Sequence, residues 1–376
     1  MKYILIYLSL FFLFVCCRMK SEVVLTDKRI PIPLSSNSLA LLSPDSVFDS
    51  VTYIPLETTE DNLITNIDKV ITTDSLIYIL DKKQKEIFVF NVQGKYVKEL
   101  DRQGAGGKGY YLNVFDFRIE NDLIYLLCTS NKSIMIYNLN FEYLNEIELN
   151  GSFTCFEFFE DYIYLYGDYT QESLNNIFVL KRNNDLYAQY SPFPKQQLGV
   201  GYNGYYLAQD SLDCYAYYPY QYNIYKLYPD REEVILQLKF DSDKIYPLEL
   251  QTASSFDRDK YRMSISPEEW PIEIHGNLVC TSKYYIIPFV YKTLVHSIFY
   301  NKENGNVKTG IIFPSKKYPF ANQNILPYQK NFIIQTISTE AIDALRTVGK
   351  QYLIPEILQN CSLDDNPILA IYKLKY

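Results

Sequence analysis

The sequence predicts an all-β fold, a six-bladed β-propeller of four-stranded antiparallel blades with short helical insertions. Three observations carry this. A strand–turn–strand unit recurs at intervals of about 40–50 residues, the period of a propeller blade. The strands of that unit are apolar along their length, without the alternation of a sheet that has one wet face. Aromatic side chains, which favour strands, are abundant, with 37 Tyr and 22 Phe in 376 residues.

The unit is clearest over residues 74–96. Leu76-Ile77-Tyr78-Ile79-Leu80 is followed by a polar turn, then Ile87-Phe88-Val89-Phe90, then a turn at Gly94. A second copy pairs residues 123–127 with 134–139, and a third pairs 162–166 with 177–180. Their tyrosines align at Tyr78, Tyr125 and Tyr164, 47 and 39 residues apart. Later copies are less regular: Tyr215 with 223–227, 284–287 with 297–301, and 331–334 with 368–373. Upstream, Val51-Thr52-Tyr53-Ile54-Pro55-Leu56 reads as a strand at a sheet edge, because Pro55 has no N–H to give a ladder.

A blade packs a neighbour against each flat side, so its middle strands lose water on both faces. That accounts for the unbroken apolar runs. A two-sheet sandwich would alternate strictly and need no repeat. An outer-membrane barrel, suggested by the terminal Tyr376 and the many tyrosines, needs alternating segments of roughly ten residues, which are missing.

Helical signal is confined to two places. Ser338 or Thr339 suits an N-cap, with Glu340 in the first turn and Ile342, Leu345 and Val348 at helical spacing. Gly349 or Pro355 would end that helix. Ser266-Pro267-Glu268-Glu269 reads as a capping box with Pro at the first helical position. Both fall where the copies are stretched, so both read as insertions into inter-strand loops.

At the N-terminus Lys2 precedes residues 3–15, an almost wholly apolar run. At about 1.5 Å per residue it is roughly 20 Å long, short for a bilayer span. A positive start and a short apolar core form the pattern of an export signal. The run ends in Phe14-Val15-Cys16-Cys17 and resembles a bacterial lipoprotein signal, with Cys16 at the small position and Cys17 as the acylated residue. Residues 1–17 are therefore expected to be a lipoprotein signal peptide. Residues 18–46, polar and carrying Pro31, Pro33 and Pro44, read as a tether, and 47–376 as the propeller. Several acyl chains would anchor the protein stably, at about 0.8 kcal/mol per buried methylene.

The formal charge is −8 and there is no basic run or stripe. A nucleic-acid groove needs clustered Lys and Arg, so nucleic acid is not an expected partner. No CxxC pair exists, which excludes a zinc ribbon or thioredoxin motif. Cys128, Cys155, Cys214, Cys280 and Cys361 are scattered and odd in number, the usage of small buried apolar residues.

Catalytic signatures are thin. There is no GxSxG, HExxH or EF-hand loop. His275 and His296 are 21 residues apart and read as structural or exposed. The Gly-rich stretch 104–109 lacks the following helix and the Lys-Ser/Thr pair of a phosphate cradle, and reads as a link between blades. A lactonase-like propeller enzyme would gather carboxylates and amides at inner-strand ends around a calcium ion. Asp116, Glu157 and Asn203 stand where such a set could form. The aromatic cluster around Tyr217, Tyr218, Tyr220 and Tyr222 is the candidate ligand-binding surface, with Trp270 in the insertion beside it. Packing between blades is the alternative role for those rings.

The run Tyr53-Ile54-Pro55-Leu56-Glu57-Thr58, then residues 87–95 and the Gly loop 104–110, resembles the six-bladed β-propeller lipoproteins common in Bacteroidetes, which are distantly similar to NHL-type propellers. Lys108 stands where that family usually has Pro, and Tyr110 where it has an acidic residue nearby. The resemblance covers residues 47–376, most strongly 47–145, and the ending Asp364-Asp365-Asn366-Pro367 fits the family's closing strand. It implies an exported, membrane-anchored propeller and no established activity.

The expectation is thus a lipid-anchored module of the cell envelope, placed at the outer membrane, that binds a glycan, a peptide or an envelope protein or serves as a scaffold. No cofactor and no metal are expected. The alternative is a propeller enzyme, a calcium-dependent hydrolase or a lyase, with an axial site.

Overall fold

The computed structural model of the chain describes residues 24–25, 29–32, 41–104, 108–109, 111–199, 205–241, 244–274, 276–328 and 331–375. The expected signal peptide and Cys17 lie outside the described residues, as do His275 and Asn203.

Six antiparallel sheets make six blades. Their innermost strands are Lys69–Thr72, Asp116–Glu120, Cys155–Phe159, Leu207–Gln209, Val279–Cys280 and Ile325–Pro327. Each neighbours the next, and the last neighbours the first, so the strands form a closed ring around one axis. Blade 1 shows the plan: Lys69–Thr72, Leu76–Asp81, Glu86–Asn91 and Tyr96–Leu100 pair in sequence from the axis outward. Its two middle strands, the apolar runs of the sequence, are buried on both faces from Ile77 to Asp81 and from Ile87 to Phe90. The third strands of blades 1 to 4 each carry a register shift, at Val89/Phe90, Ile136/Tyr137, Val179/Leu180 and Ile224/Tyr225. Such bulges increase local twist.

Blade 6 closes the ring with both ends of the chain. Ile325–Pro327, Phe332–Ile337 and Ile368–Leu374 come from the C-terminal end, and Phe48–Pro55 adds the outermost strand. Pro55 is the last residue of that edge strand, where no ladder bond is demanded of it. The buried side chain of Asn366 locks the closure. It donates to the Glu57 and Asn62 carbonyls at 2.9 Å and accepts from the Ile64 N–H at 2.7 Å.

The expected tether is docked over part of its length. Arg29–Pro31 lies parallel to Glu232–Lys239, the outer strand of blade 4, and Val24–Leu25 continues that pairing. Leu41–Leu42 lies parallel to Val307–Ile312, the outer strand of blade 5. Ile30, Ile32 and Leu42 are buried, so this arm belongs to the core rather than to a free linker. Polar composition and prolines hid it, because each docked piece is only two or three residues long.

Alternating strand direction sends the connections to two different faces. Those after the first strand of every blade, and after the third strand of blades 1 to 5, span two to five residues, such as 121–122 and 302–306. Those after the second and fourth include the long ones: 101–115, 193–206, 240–272 and 338–367. Among the described residues the second set holds every α-helix outside the N-terminal arm. Thr339–Thr347 begins after Ser338 as expected, and the capping box at Ser266 is complete around the turn Pro267–Glu269. Leu248–Gln251 and Ser255–Met263 were not legible. Phe256 and Met263 of the latter are exposed while Arg258 is buried, which inverts the apolar periodicity that marks a helix.

Candidate functional site at the propeller axis

The first residues of the six innermost strands, Lys69, Asp116, Cys155, Leu207, Val279 and Ile325, are all buried. Of the six last residues only Cys280 is buried, and Gln209 and Pro327 are exposed. The axis is therefore closed toward the long loops and open toward the short turns. A pocket of about 280 Å³ lies along it, lined by Thr72, Gln209, Pro327 and Tyr328 at the short-turn ends of the inner strands and by Lys69, Arg118, Glu157 and Tyr205 farther toward their first residues.

A chain of alternating charges crosses the closed end. Lys69 Nζ donates to Asp116 Oδ1 at 2.6 Å, and Arg118 Nη1 donates to the same oxygen at 2.9 Å. Arg118 Nε donates to Glu157 Oε2 at 2.7 Å, while its Nη2 donates to Oε1, a fork-to-fork pairing. Asp116 Oδ2 accepts from the Phe156 N–H at 3.0 Å. The two cations and two carboxylates cancel. Burial pushes the Asp116 carboxyl well above the usual carboxylate range, with the charge of Glu157 adding to it. Burial also raises Glu157, against the pull of Arg118.

The strand pleat explains the arrangement. Side chains alternate, so first and third residues of an inner strand share a face. Arg118 and Glu157 hold the same third position in adjacent blades, one cationic and one anionic, which brings their heads together. Tyr205, on the connection into blade 4, reaches across to blade 2. Its hydroxyl donates to the Phe115 carbonyl at 3.3 Å. Its ring faces the ammonium of Lys82 at 4.0 Å and of Lys69 at 5.2 Å, a cation–π arrangement. Burial lowers the pKa of Lys82, while the charges of Asp116 and Asp68 oppose that shift.

Asp116 and Glu157, two of the three residues that could form an axial set, lie on inner strands at the axis, and Asn203 lies outside the described residues. Cationic side chains stand between them: Lys69 and Arg118 take up the carboxylate oxygens that a metal would need. Among the described residues no three His, Cys, Asp or Glu side chains form a metal-ligand group. Arg118 and Lys69 were not legible as site residues because a calcium set is made of carboxylates and amides, not cations. The available signal was the alternation Asp116-Phe117-Arg118 set beside Cys155-Phe156-Glu157.

The aromatic cluster lies elsewhere, mostly inside the packing of blades 3 to 5. Tyr217, Tyr218 and Tyr222 are buried. The Tyr217 hydroxyl donates to the Gly276 carbonyl. The Tyr218 hydroxyl meets Ser191 and Glu232, and that of Tyr222 donates to the Ile272 carbonyl at 2.8 Å. Tyr220 is half-buried with its ring 3.8 Å from the Arg258 guanidinium. Half-buried Trp270 donates from Nε1 to the Arg262 carbonyl at 3.1 Å, pinning the insertion. Hydroxyls are satisfied in this way because a buried unpaired polar group costs about 1–3 kcal/mol. The cluster does not present an aromatic surface to solvent.

Cys128, Cys155, Cys214 and Cys280 are buried free thiols, as their scatter suggested, and Cys361 is partly buried. His296 is buried too, stacked on Phe289 with Nδ1 2.9 Å from the Leu294 carbonyl.

The family model described as "Domain of unknown function (DUF4934)" matches residues 28–373, so the chain belongs to that family. No curated protein matches it. Among solved structures, a "Putative exported protein" of Bacteroides fragilis NCTC 9343 is similar over 93% of this chain and 100% of its own, at 16% identity and a TM-score of 0.74. A member of the DUF4221 family from Bacteroides vulgatus ATCC 8482 is similar over 88% and 97%, at 10% identity and a TM-score of 0.52. At these identities the likeness is one of fold.

Proposed function

We propose that this member of the family is an exported binding module, held at the cell envelope by a lipid on Cys17, whose axial pocket takes a small uncharged polar ligand. One observation carries the reading: the pocket is closed at one end, open at the other, and lined by charges already paired. An anionic or cationic ligand would have to break the Lys69–Asp116–Arg118–Glu157 chain, and an exposed partner of that kind is better served by free charges. A neutral ligand would meet the amides of Gln209 and Asn277, the ring of Tyr328 and apolar walls such as Leu278 and Leu326. Ligand pockets combine apolar walls with few polar groups, from about 300 Å³ upward, so this one suits a single sugar residue or a group of that size. We favour a glycan over a peptide on that ground. The leader and the likeness to an exported protein support the envelope setting.

The test is a thermal-shift screen of neutral mono- and disaccharides, short uncharged peptides and sugar acids on the propeller. A ligand that binds only the folded chain raises its melting temperature, by an amount set by concentration over Kd. Neutral saccharides are expected to raise it and sugar acids to leave it unchanged. The reverse order would overturn the ligand class.

A second reading, an axial hydrolase or lyase, is favoured by the raised carboxyl of Glu157 on the pocket wall, the condition of a general acid. It is separated from the first by incubating the protein with a saccharide that binds. Recovery of intact saccharide supports a binding module; cleavage that stops in Glu157→Gln supports the enzyme. Added calcium is expected to leave the melting temperature unchanged, because the carboxylates already hold Lys69 and Arg118.

A further inference from the structure

From the course of the N-terminal arm we infer that the anchored propeller stands with its short-turn face, and so the mouth of the axial pocket, toward the bilayer. The inference rests on the reading that Cys17 carries the lipid. It adds which way the molecule then faces.

The arm runs parallel to the outer strand of blade 4. Val24 pairs with Glu233 and Leu25 with Val234, then Arg29, Ile30 and Pro31 pair with Gln237, Leu238 and Lys239. Glu232–Lys239 starts just after the connection 228–231, on the short-turn face, and runs toward the long loops. Followed backward, the arm therefore leaves the propeller at the short-turn face. The seven steps from Cys17 to Val24 extend to at most about 25 Å.

Reach decides between the two faces. To put the lipid beyond the long-loop face, the chain would have to climb back past the blade from Glu233 to Lys239. Those six steps take up about 20 Å at the rise of a strand. The remainder, about 5 Å, is less than the thickness of one helix, about 10 Å. The connection that leaves Lys239 carries Ser255–Met263 on that very side. The short-turn face has no such obstacle beside the arm, since the nearest connections, 210–213 and 228–231, are four residues each.

The consequence concerns access. A ligand would reach Gln209, Pro327 and Tyr328 from the gap between propeller and membrane, and the long helical loops would face away from the bilayer. Material at the membrane surface then has the shorter path to the site.

The test uses the full-length protein, processed in a lipoprotein-exporting host and reconstituted in phospholipid vesicles. Single cysteines at Leu212→Cys on the short-turn face and Met263→Cys on the long-loop face, both at exposed positions (75% and 87%), carry a fluorophore in a Cys361→Ser background. Lipids with a nitroxide headgroup act as quencher, and mass spectrometry reports whether Cys17 is acylated. Quenching at position 212 several-fold above that at 263 supports the inference. Acylated protein with equal or inverted quenching overturns the orientation and leaves the anchor intact. An unmodified Cys17 overturns the anchor reading and this inference with it.

Discussion

Arg118 holds two carboxylates that solvent barely reaches. Its side chain is 11% exposed, Asp116 0% and Glu157 7%, so removing it leaves buried negative charge without a partner. Arg118→Met is expected to cost about 3–5 kcal/mol in urea unfolding, the range for breaking a buried ion pair from one side. Replacing Lys69, Asp116, Arg118 and Glu157 together by apolar residues of similar volume should recover most of that loss, because no buried charge is then left without a partner. A second residue sets a pH dependence. Glu86 is raised from its ordinary value of 4.5 to about 7, by burial first and then by Asp101, Glu99 and Asp81. Its folded value lies above the unfolded one, so the folded chain binds the proton more tightly. Its contribution is greatest below pH 4.5 and is lost as pH rises toward 7. Glu86→Gln is expected to flatten the fall in melting temperature between those values; an unaltered pH profile would contradict the assignment. At this scale the sequence told half the story. Asp116 and Glu157 were singled out because a lactonase-like site would gather carboxylates on the inner strands, although the structure puts Glu157 in mid-strand. Lys69, Arg118 and Tyr205 escaped notice because their roles depend on which blades adjoin.

The N-terminal arm is the element most changed by the structure. Three of its pieces, Arg29–Pro31, Leu41–Leu42 and Phe48–Pro55, add edge strands to blades 4, 5 and 6 in turn. Covering an outer edge removes a row of unpaired backbone groups from solvent. A chain beginning at Lys28 is therefore expected to melt several degrees above one beginning at Ser43, and to aggregate less on heating. Equal melting curves would mean that the docked pieces contribute nothing. Ile30→Ala is expected to cost about 2–4 kcal/mol, as for a buried aliphatic side chain cut to its β-carbon. Middle strands such as Leu76–Asp81 were legible because burial on both faces writes an unbroken apolar run into the sequence. Short edge strands were not, because two or three residues cannot show a period. Thr339–Thr347 was legible through Glu340 in its first turn and its buried Ile342, and Ser255–Met263 was hidden by a buried Arg258 and exposed apolar side chains.

The ring as a whole depends on one closure and leaves one open axis. Strands from both ends of the chain meet in blade 6, where Asn366 ties the incoming 57–64 segment through several hydrogen bonds. Asn366→Ala would take a side-chain partner from three backbone groups of the 57–64 segment and is expected to cost on the order of 3 kcal/mol, read by urea unfolding; a loss below 1 kcal/mol would show water replacing the side chain. The fold class, six copies and antiparallel blades, is written in the repeat period and the strand texture. The functional end of the axis did not. The loops that look eventful in the sequence cap the closed end, and the mouth is framed by short turns with no motif of their own. The decisive measurement follows from that geometry. Gln209→Trp places an indole across the mouth at an exposed position and should leave the unliganded melting temperature unchanged. If the axis is the binding site, a saccharide that raises the melting temperature of the natural chain gives no rise with this variant. The same rise in both proteins would put the site elsewhere and contradict the account.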